Sequence, residues 1–158
     1  MLIEKWMTRS VHSVKPLDSI LHARKLMVEH RINQLPVTID QRLVGIVTDR
    51  DLRDAFPSVF SQAEQALEPA RGLDRRRRVQ RAGEVRPEEI TVDDVMTRKV
   101  LTLSPADPVA DAARLMRRER IGGVPIVAQG KLVGILTRSD ILGAFLALLS
   151  PIDGESFQ

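Results

Sequence analysis

The sequence contains no cysteine and no tyrosine, and its aromatic residues are one tryptophan and four phenylalanines. Without cysteine there is no disulfide framework, no thiolate metal site and no cysteine nucleophile. Scarce aromatic rings argue against a platform for single-stranded nucleic acid, which stacks bases on such rings. No apolar run approaches the ~18 residues that a membrane-spanning helix requires. The N-terminus, Met1-Leu2-Ile3-Glu4-Lys5-Trp6, interrupts its apolar residues with an acid and a base and has no signal-peptide core. A cytoplasmic location is therefore expected. No Ser/His/Asp set, catalytic carboxylate pair or glycine-rich phosphate loop is evident, so no enzymatic activity and no required cofactor are expected.

What is present is ample apolar material, 43% of the chain, and a small net charge of +3 that is unevenly placed. Seven arginines fall between Arg71 and Arg86 against Asp74 and Glu84, so the remainder of the chain is slightly acidic. The run Arg75-Arg76-Arg77-Arg78 invites a nucleic-acid reading. Its setting, a stretch broken by Pro69, Gly72, Gly83 and Pro87 with acids nearby, favours a solvated loop or an electrostatic contact with a protein partner. His12, His22 and His30 all lie in the first third of the chain, and the eight-residue spacing of His22 and His30 is too wide for a shared metal, so they read as surface histidines.

An internal repeat decides the architecture. Met7-Thr8-Arg9 recurs as Met96-Thr97-Arg98, an offset of 89 residues that holds without a gap from Met7 to Asp51. Leu43-Val44-Gly45-Ile46 matches Leu132-Val133-Gly134-Ile135 at that offset, and Pro36 matches Pro125. Each copy reads as strand, helix, strand, strand, helix. An extended stretch (11–14 and 100–103) precedes a helix whose apolar face is Ile20, Ala23 and Met27, or Val109, Ala112, Ala113 and Met116. Asp18 and Asp107 are expected as its N-caps. Two apolar strands follow, 35–39 and 43–48, or 124–128 and 132–137, turning at Asp40-Gln41-Arg42 and Gln129-Gly130. The expected fold class is α/β (α+β), with two β-α-β-β-α repeats related by a pseudo-twofold axis and packed sheet to sheet, because one unit of ~50 residues buries its sheet poorly alone. Two equivalent clefts between the halves would result. The expected bounds are 1–55 for the first repeat, 56–94 for a partly helical Arg-rich linker, 95–150 for the second repeat and 151–158 for a tail.

The sharpest local pattern is Thr48-Asp49-Arg50-Asp51, echoed by Thr137-Arg138-Ser139-Asp140 at the end of a strand and the start of a helix. Two readings are open. One is a capping box, in which Thr and Asp satisfy helix-terminal N–H groups. The other is a nucleotide grip, in which the carboxylate accepts from ribose hydroxyls while Thr and backbone N–H groups face phosphate. The two are compatible.

Over residues 1–150 the chain resembles the family of CBS (cystathionine-β-synthase-type) domain pairs, or Bateman modules. The carrying stretches are HRINQLPV and RLVGIVTDRDLRDA in the first copy, and VMTRKVLTLSPADPVADAARLMRRERIGGVPIV and KLVGILTRSDIL in the second. The run from Thr48 to Ala55 with Pro57-Ser58 is similar to the acetoin-utilisation (AcuB-type) branch, here without the additional C-terminal domain of its longer members. The resemblance implies a regulatory sensor for AMP, ADP, ATP or another adenosyl ligand such as S-adenosylmethionine or NAD. By position it implies Thr48, Arg50 and Asp51, and Thr137, Arg138 and Asp140, as ribose and phosphate contacts. Ile32, Gln34, Pro36, Ile121, Gly123 and Pro125 would line the adenine slots, with Val11, Ser13, Val100 and Thr102 from the leading strands. Ile32 and Ile121 read equally well as core. Gly123 leaves room where Gln34 fills it, and Arg138-Ser139 offers charge and hydroxyl where Asp49 repels phosphate, so the Asp140 site is expected to bind the tighter. The apolar run Ile141–Leu149 is expected to form a homodimer interface. The regulated partner is unknown. The alternative is a partner- or nucleic-acid-binding scaffold that uses Arg75 to Arg78.

Overall fold

A computed structural model describes residues 1–55 and 87–149. The expected linker helix at 58–67, the Arg75–Arg78 run and the tail 151–158 lie outside the described residues. The chain divides into two compact units, one formed by 1–11 with 101–158 and the other by 12–100.

In the second of these units, helix α1 (Ile20–His30) buries Ile20, Ala23 and Met27, the expected face. It leads to the antiparallel hairpin β1 (Gln34–Ile39) and β2 (Arg42–Thr48), and then to helix α2 (Asp49–Ala55). A short helix α3 (Val92–Val95) completes it. In the other unit α4 (Val109–Glu119), β3 (Gly123–Ala128), β4 (Lys131–Thr137) and α5 (Arg138–Leu149) repeat the order. Each unit is thus an α+β assembly around a two-stranded antiparallel sheet.

The expected leading strands survive only as single parallel bridges, Val14 to Val37 and Leu103 to Ile126. The N–H of Val14 donates to the Pro36 carbonyl at 3.1 Å, and the Thr38 N–H donates back to the Val14 carbonyl at 2.9 Å. Pro36 has no N–H to offer, so only its carbonyl enters the ladder.

The far edge of each sheet is covered by a segment that the repeat pattern assigns to the other copy. Thr97 bridges Ile46 in one unit, and Thr8 bridges Ile135 in the other. Ile90, Val92 and Met96 are buried with Leu35, Val37 and Leu52, while Ile3 and Met7 are buried with Val124, Ile126 and Leu136. Each fully buried Leu or Ile of these clusters contributes about 1.5–3 kcal/mol. Residues 90–97, which the sequence places largely in a linker, therefore build the core around the first hairpin.

Two local expectations change. Asp18 and Asp107 do not cap the long helices. The cap of α1 is Ser19, whose hydroxyl accepts from the His22 N–H at 3.2 Å, and α4 starts from Pro108 with no side-chain cap. The two aspartates instead accept from Lys15 and Ser104 N–H groups at 2.7 Å, closing the turn that holds Pro16 and Pro105. A short carboxylate bonding a backbone N–H three residues back competes directly with helix capping. Helices α1 and α4 both end on a left-handed arginine, Arg31 (φ 53°) and Arg120 (φ 57°).

Candidate functional site

The strand-to-helix junctions hold Thr48 with Asp51 and Thr137 with Asp140. Asp140 Oδ2 accepts from both the backbone N–H and the hydroxyl of Thr137, each at 2.7 Å. The Thr137 hydroxyl accepts in turn from the Asp140 N–H at 3.4 Å. Asp51 and Thr48 repeat the arrangement at 2.9, 2.8 and 3.2 Å. These are reciprocal capping boxes, and they fix both χ angles of each carboxylate. All four residues are half-buried.

The same geometry occurs a third time. Asp94 Oδ2 accepts from the Thr91 N–H at 2.9 Å and hydroxyl at 3.0 Å at the start of α3. A Thr-x-x-Asp box is therefore sufficient as a cap, and what sets the first two apart is their surroundings. Gln34 lies directly across the hairpin from Thr48, and Gly123 from Thr137. The Asp49 N–H donates to the Asn33 carbonyl at 2.8 Å, and the Arg138 N–H to the Gly122 carbonyl at 3.1 Å. Each helix start is thereby tied to the residue that precedes the hairpin. At the second box the hydrogen bonds of Asp140 to described residues run through Oδ2 and leave Oδ1 unengaged by them.

The remaining residues expected at the sites fall into distinct environments. Ile32 and Ile121 are half-buried and pack against the core clusters of their units. Pro36 and Pro125 are fully buried within the hairpins. Ser13 and Thr102 are exposed, and the Ser13 hydroxyl accepts from Thr38 Oγ1 at 3.5 Å. Val11 closes the N-terminal stretch of one unit and Val100 closes the other unit. Arg50 and Arg138 are exposed. Asp49, expected to repel phosphate, is held 2.7 Å from Arg53, which offsets part of its charge.

Among the described residues no group of three His, Asp or Glu could hold a metal ion. The rings of His12 and His30 stack at 3.6 Å with 16° between their planes. Stacked rings point their nitrogen lone pairs side by side rather than at a common ion. No described helix is long and apolar enough to cross a membrane.

The model of the CBS domain matches residues 3–58 and 92–147. A Vibrio cholerae protein assigned to the acetoin-utilization type (AcuB) has a similar solved structure, at a TM-score of 0.70 and 27% identity, covering 94% of this chain and 93% of that one. The Arabidopsis thaliana protein CBSX2 in complex with AMP superposes at a TM-score of 0.72 and 31% identity, over 94% of this chain and 98% of its own. The CBS domain pair of protein MJ0100, solved with 5'-methylthioadenosine and S-adenosyl-L-methionine, gives 0.69 and 27% over 94% and 98%. Two matched segments, each carrying the helix, hairpin and Thr-Asp junction of one copy, show that this chain belongs to the CBS-domain family as a tandem pair.

Proposed function

We propose that the chain is a regulatory module that binds an adenosine-containing ligand at Thr137/Asp140 and Thr48/Asp51 and has no catalysis of its own. The observation that carries this reading is the repeated Thr-Asp box opposite Gly123 and Gln34, with a carboxylate held by two hydrogen bonds through one oxygen and, at Asp140, the other oxygen unengaged by described residues. A fixed carboxylate accepts from the two vicinal hydroxyls of a ribose without losing further side-chain entropy. The ligands solved with the two similar proteins, AMP in one and methylthioadenosine with S-adenosylmethionine in the other, share an adenosine and differ beyond it. That common part supports an adenosine contact in this chain as well. Phosphorylated ligands would favour the Asp140 site, where exposed Arg138 replaces acidic Asp49.

The test is thermal unfolding of the purified protein with AMP, ADP, ATP, S-adenosylmethionine and NAD in turn. A ligand at ~100 times its Kd adds about 2.7 kcal/mol and raises Tm by several degrees. The shift should be reduced more in Asp140→Ala than in Asp51→Ala. No shift with any of the five would leave the boxes as helix caps alone and overturn the reading. A shift that survives Asp140→Ala and disappears in Asp51→Ala would reverse the ranking of the sites.

Residues Leu142, Phe145, Leu146 and Leu149 follow the helical i, i+3, i+4, i+7 pattern on α5, and each is more than half exposed. We take this stripe as a homodimer surface through which ligand occupancy would reach a regulated partner in the cytoplasm.

A further inference from the structure

Between α4 and α5 lies an open cavity of about 390 Å³, lined by Ala113, Met116, Arg117, Arg120, Arg138 and Ile141. Three of its lining residues are apolar and three are arginines, drawn from the last turn of α4, the residue that ends it and the first residue of α5. None of the three forms an ion pair or side-chain hydrogen bond with a described residue, whereas Arg114 and Arg118 on the same helix are paired with Asp111 and Glu119.

The plainest account of Arg117 and Arg120 is that cations at a helix C-terminus offset its dipole. That account fails for Arg138, which sits at the N-terminus of α5, where a cation is unfavourable. Arg117 and Arg120 are also three apart, a spacing at which like charges repel. The internal repeat supplies a comparison within the same molecule. At the matching positions of the other unit stand Val28, Arg31 and Asp49, so the acid is at the helix N-terminus, where it stabilises, and Arg53 pairs with it at 2.7 Å. The copies share the arginine that ends the helix and differ at Arg117 and Arg138. One copy thus satisfies its local electrostatics where the other adds a like charge beside Arg120 and a cation at a helix N-terminus, all lining one cavity. Violations that local structure does not repay concentrate at binding sites.

We propose that this cavity binds a small organic phosphate, its phosphate held by Arg117, Arg120 and Arg138 and its apolar body laid over Met116 and Ile141. Three guanidiniums match the two negative charges and the three terminal oxygens of a phosphate monoester better than a single carboxylate, and each can donate two parallel hydrogen bonds. The volume lies within the range of small-ligand pockets. Thr137 and Asp140 are not among the lining residues, and Arg138 is the one residue shared with the proposed adenosine site, so the inference rests on Arg117 and Arg120 for what is its own.

The test is calorimetric titration of the full chain with phenyl phosphate, inorganic phosphate and phenol. Phenyl phosphate is expected to bind more tightly than inorganic phosphate, and phenol not at all. The combined Arg117→Gln, Arg120→Gly variant should weaken phenyl phosphate by ~10-fold or more, one lost charge-assisted contact being worth about that factor. Glycine is chosen at 120 because the left-handed backbone there suits it. Arg31→Gly, the matching change in the other unit, should leave the affinity unaltered. Arg138→Asp should remove binding and raise the ligand-free Tm, since it relieves the repulsion. Absence of phenyl phosphate binding, equal affinity in the double variant, or a lowered Tm in Arg138→Asp would each overturn the proposal. Titration with adenosine, which has no phosphate, reads the other proposed site and should be unchanged in the Arg117→Gln, Arg120→Gly variant and in Arg31→Gly.

Discussion

The thioether of Met7 closes over the backbone of Gly134, leaving no room for a side chain there. A Cβ built on Gly134 would lie 2.6 Å from Met7 Sδ and 3.1 Å from the Thr8 carbonyl oxygen, and one built on Gly45 would lie 2.5 Å from Met96 Sδ and 3.1 Å from the Thr97 carbonyl oxygen. Both methionines are buried, so neither can swing aside into solvent. Gly45→Ala and Gly134→Ala should each destabilise the protein by about 1–3 kcal/mol, the usual cost of overpacking. Urea denaturation measures it. Met96→Ala, which opens a cavity on its own, should cost less when made in Gly45→Ala than in the parent, because the added methyl fills part of the void. Strict additivity would show that the contact is not what excludes a side chain at 45.

That contact also marks where the sequence stops being legible. The offset of 89 residues reveals both Met-Thr-Arg and both Leu-Val-Gly-Ile stretches, and hence two copies of one fold. It does not reveal that each Met-Thr-Arg packs on the hairpin of the other copy, because a repeat relates positions within copies and carries no information about exchange between them. The signal for residues 90–97 was faint but present: Val92, Val95 and Met96 keep the spacing of Ile3, Trp6 and Met7. The helix faces and hairpins were readable from period alone, since Ile20, Ala23 and Met27 have only one apolar side to bury. The caps were not, since Asp18 could serve either α1 or the preceding turn and Ser19 was free to take the helix. At the candidate site, the Thr-Asp pairs were evident, but that Arg138 shares a cavity with Arg117 and Arg120 depends on how α4 packs against α5.

The hairpin turns differ in a way that stability should register. Asp40 and Gln41 both take positive φ, 49° and 68°, as do Gln129 and Gly130 at 50° and 75°. A two-residue turn of this kind suits glycine at its second position, and a side chain there costs about 1 kcal/mol. Gln41→Gly should therefore raise stability by ~0.5–1 kcal/mol, and Gly130→Gln should lower it by a similar amount. Differential scanning calorimetry on the two single variants decides it. A loss of stability in Gln41→Gly would mean that the Gln41 side chain makes a compensating interaction.

The three Thr-Asp boxes allow capping to be separated from ligand binding. Asp51→Ala, Asp94→Ala and Asp140→Ala each strip a helix start of the same hydrogen bonds and should each cost about 0.5–2 kcal/mol. Only the first and third lie at the junctions proposed to hold ribose. The Tm increase produced by an adenosine ligand should accordingly persist in Asp94→Ala, measured from its own lowered baseline, and be reduced in the other two. Equal reduction in all three would show that lost stability, rather than a lost contact, explains the response.

The stripe on α5 predicts association. Leu142 and Phe145 are 59% and 52% exposed and stand one turn apart, whereas Ala144 on the opposite side is buried in the core. Exposed apolar side chains at this spacing gain by burial against a matching surface, and a twofold pairing lets one stripe serve both partners. Light scattering at micromolar concentration should give the dimer mass. Leu142→Glu with Phe145→Glu should give the monomer mass while the far-ultraviolet circular dichroism stays unchanged, since neither side chain belongs to the buried core. A parent protein that scatters as a monomer would remove α5 as an interface. A double variant that remains dimeric would move the interface to another face.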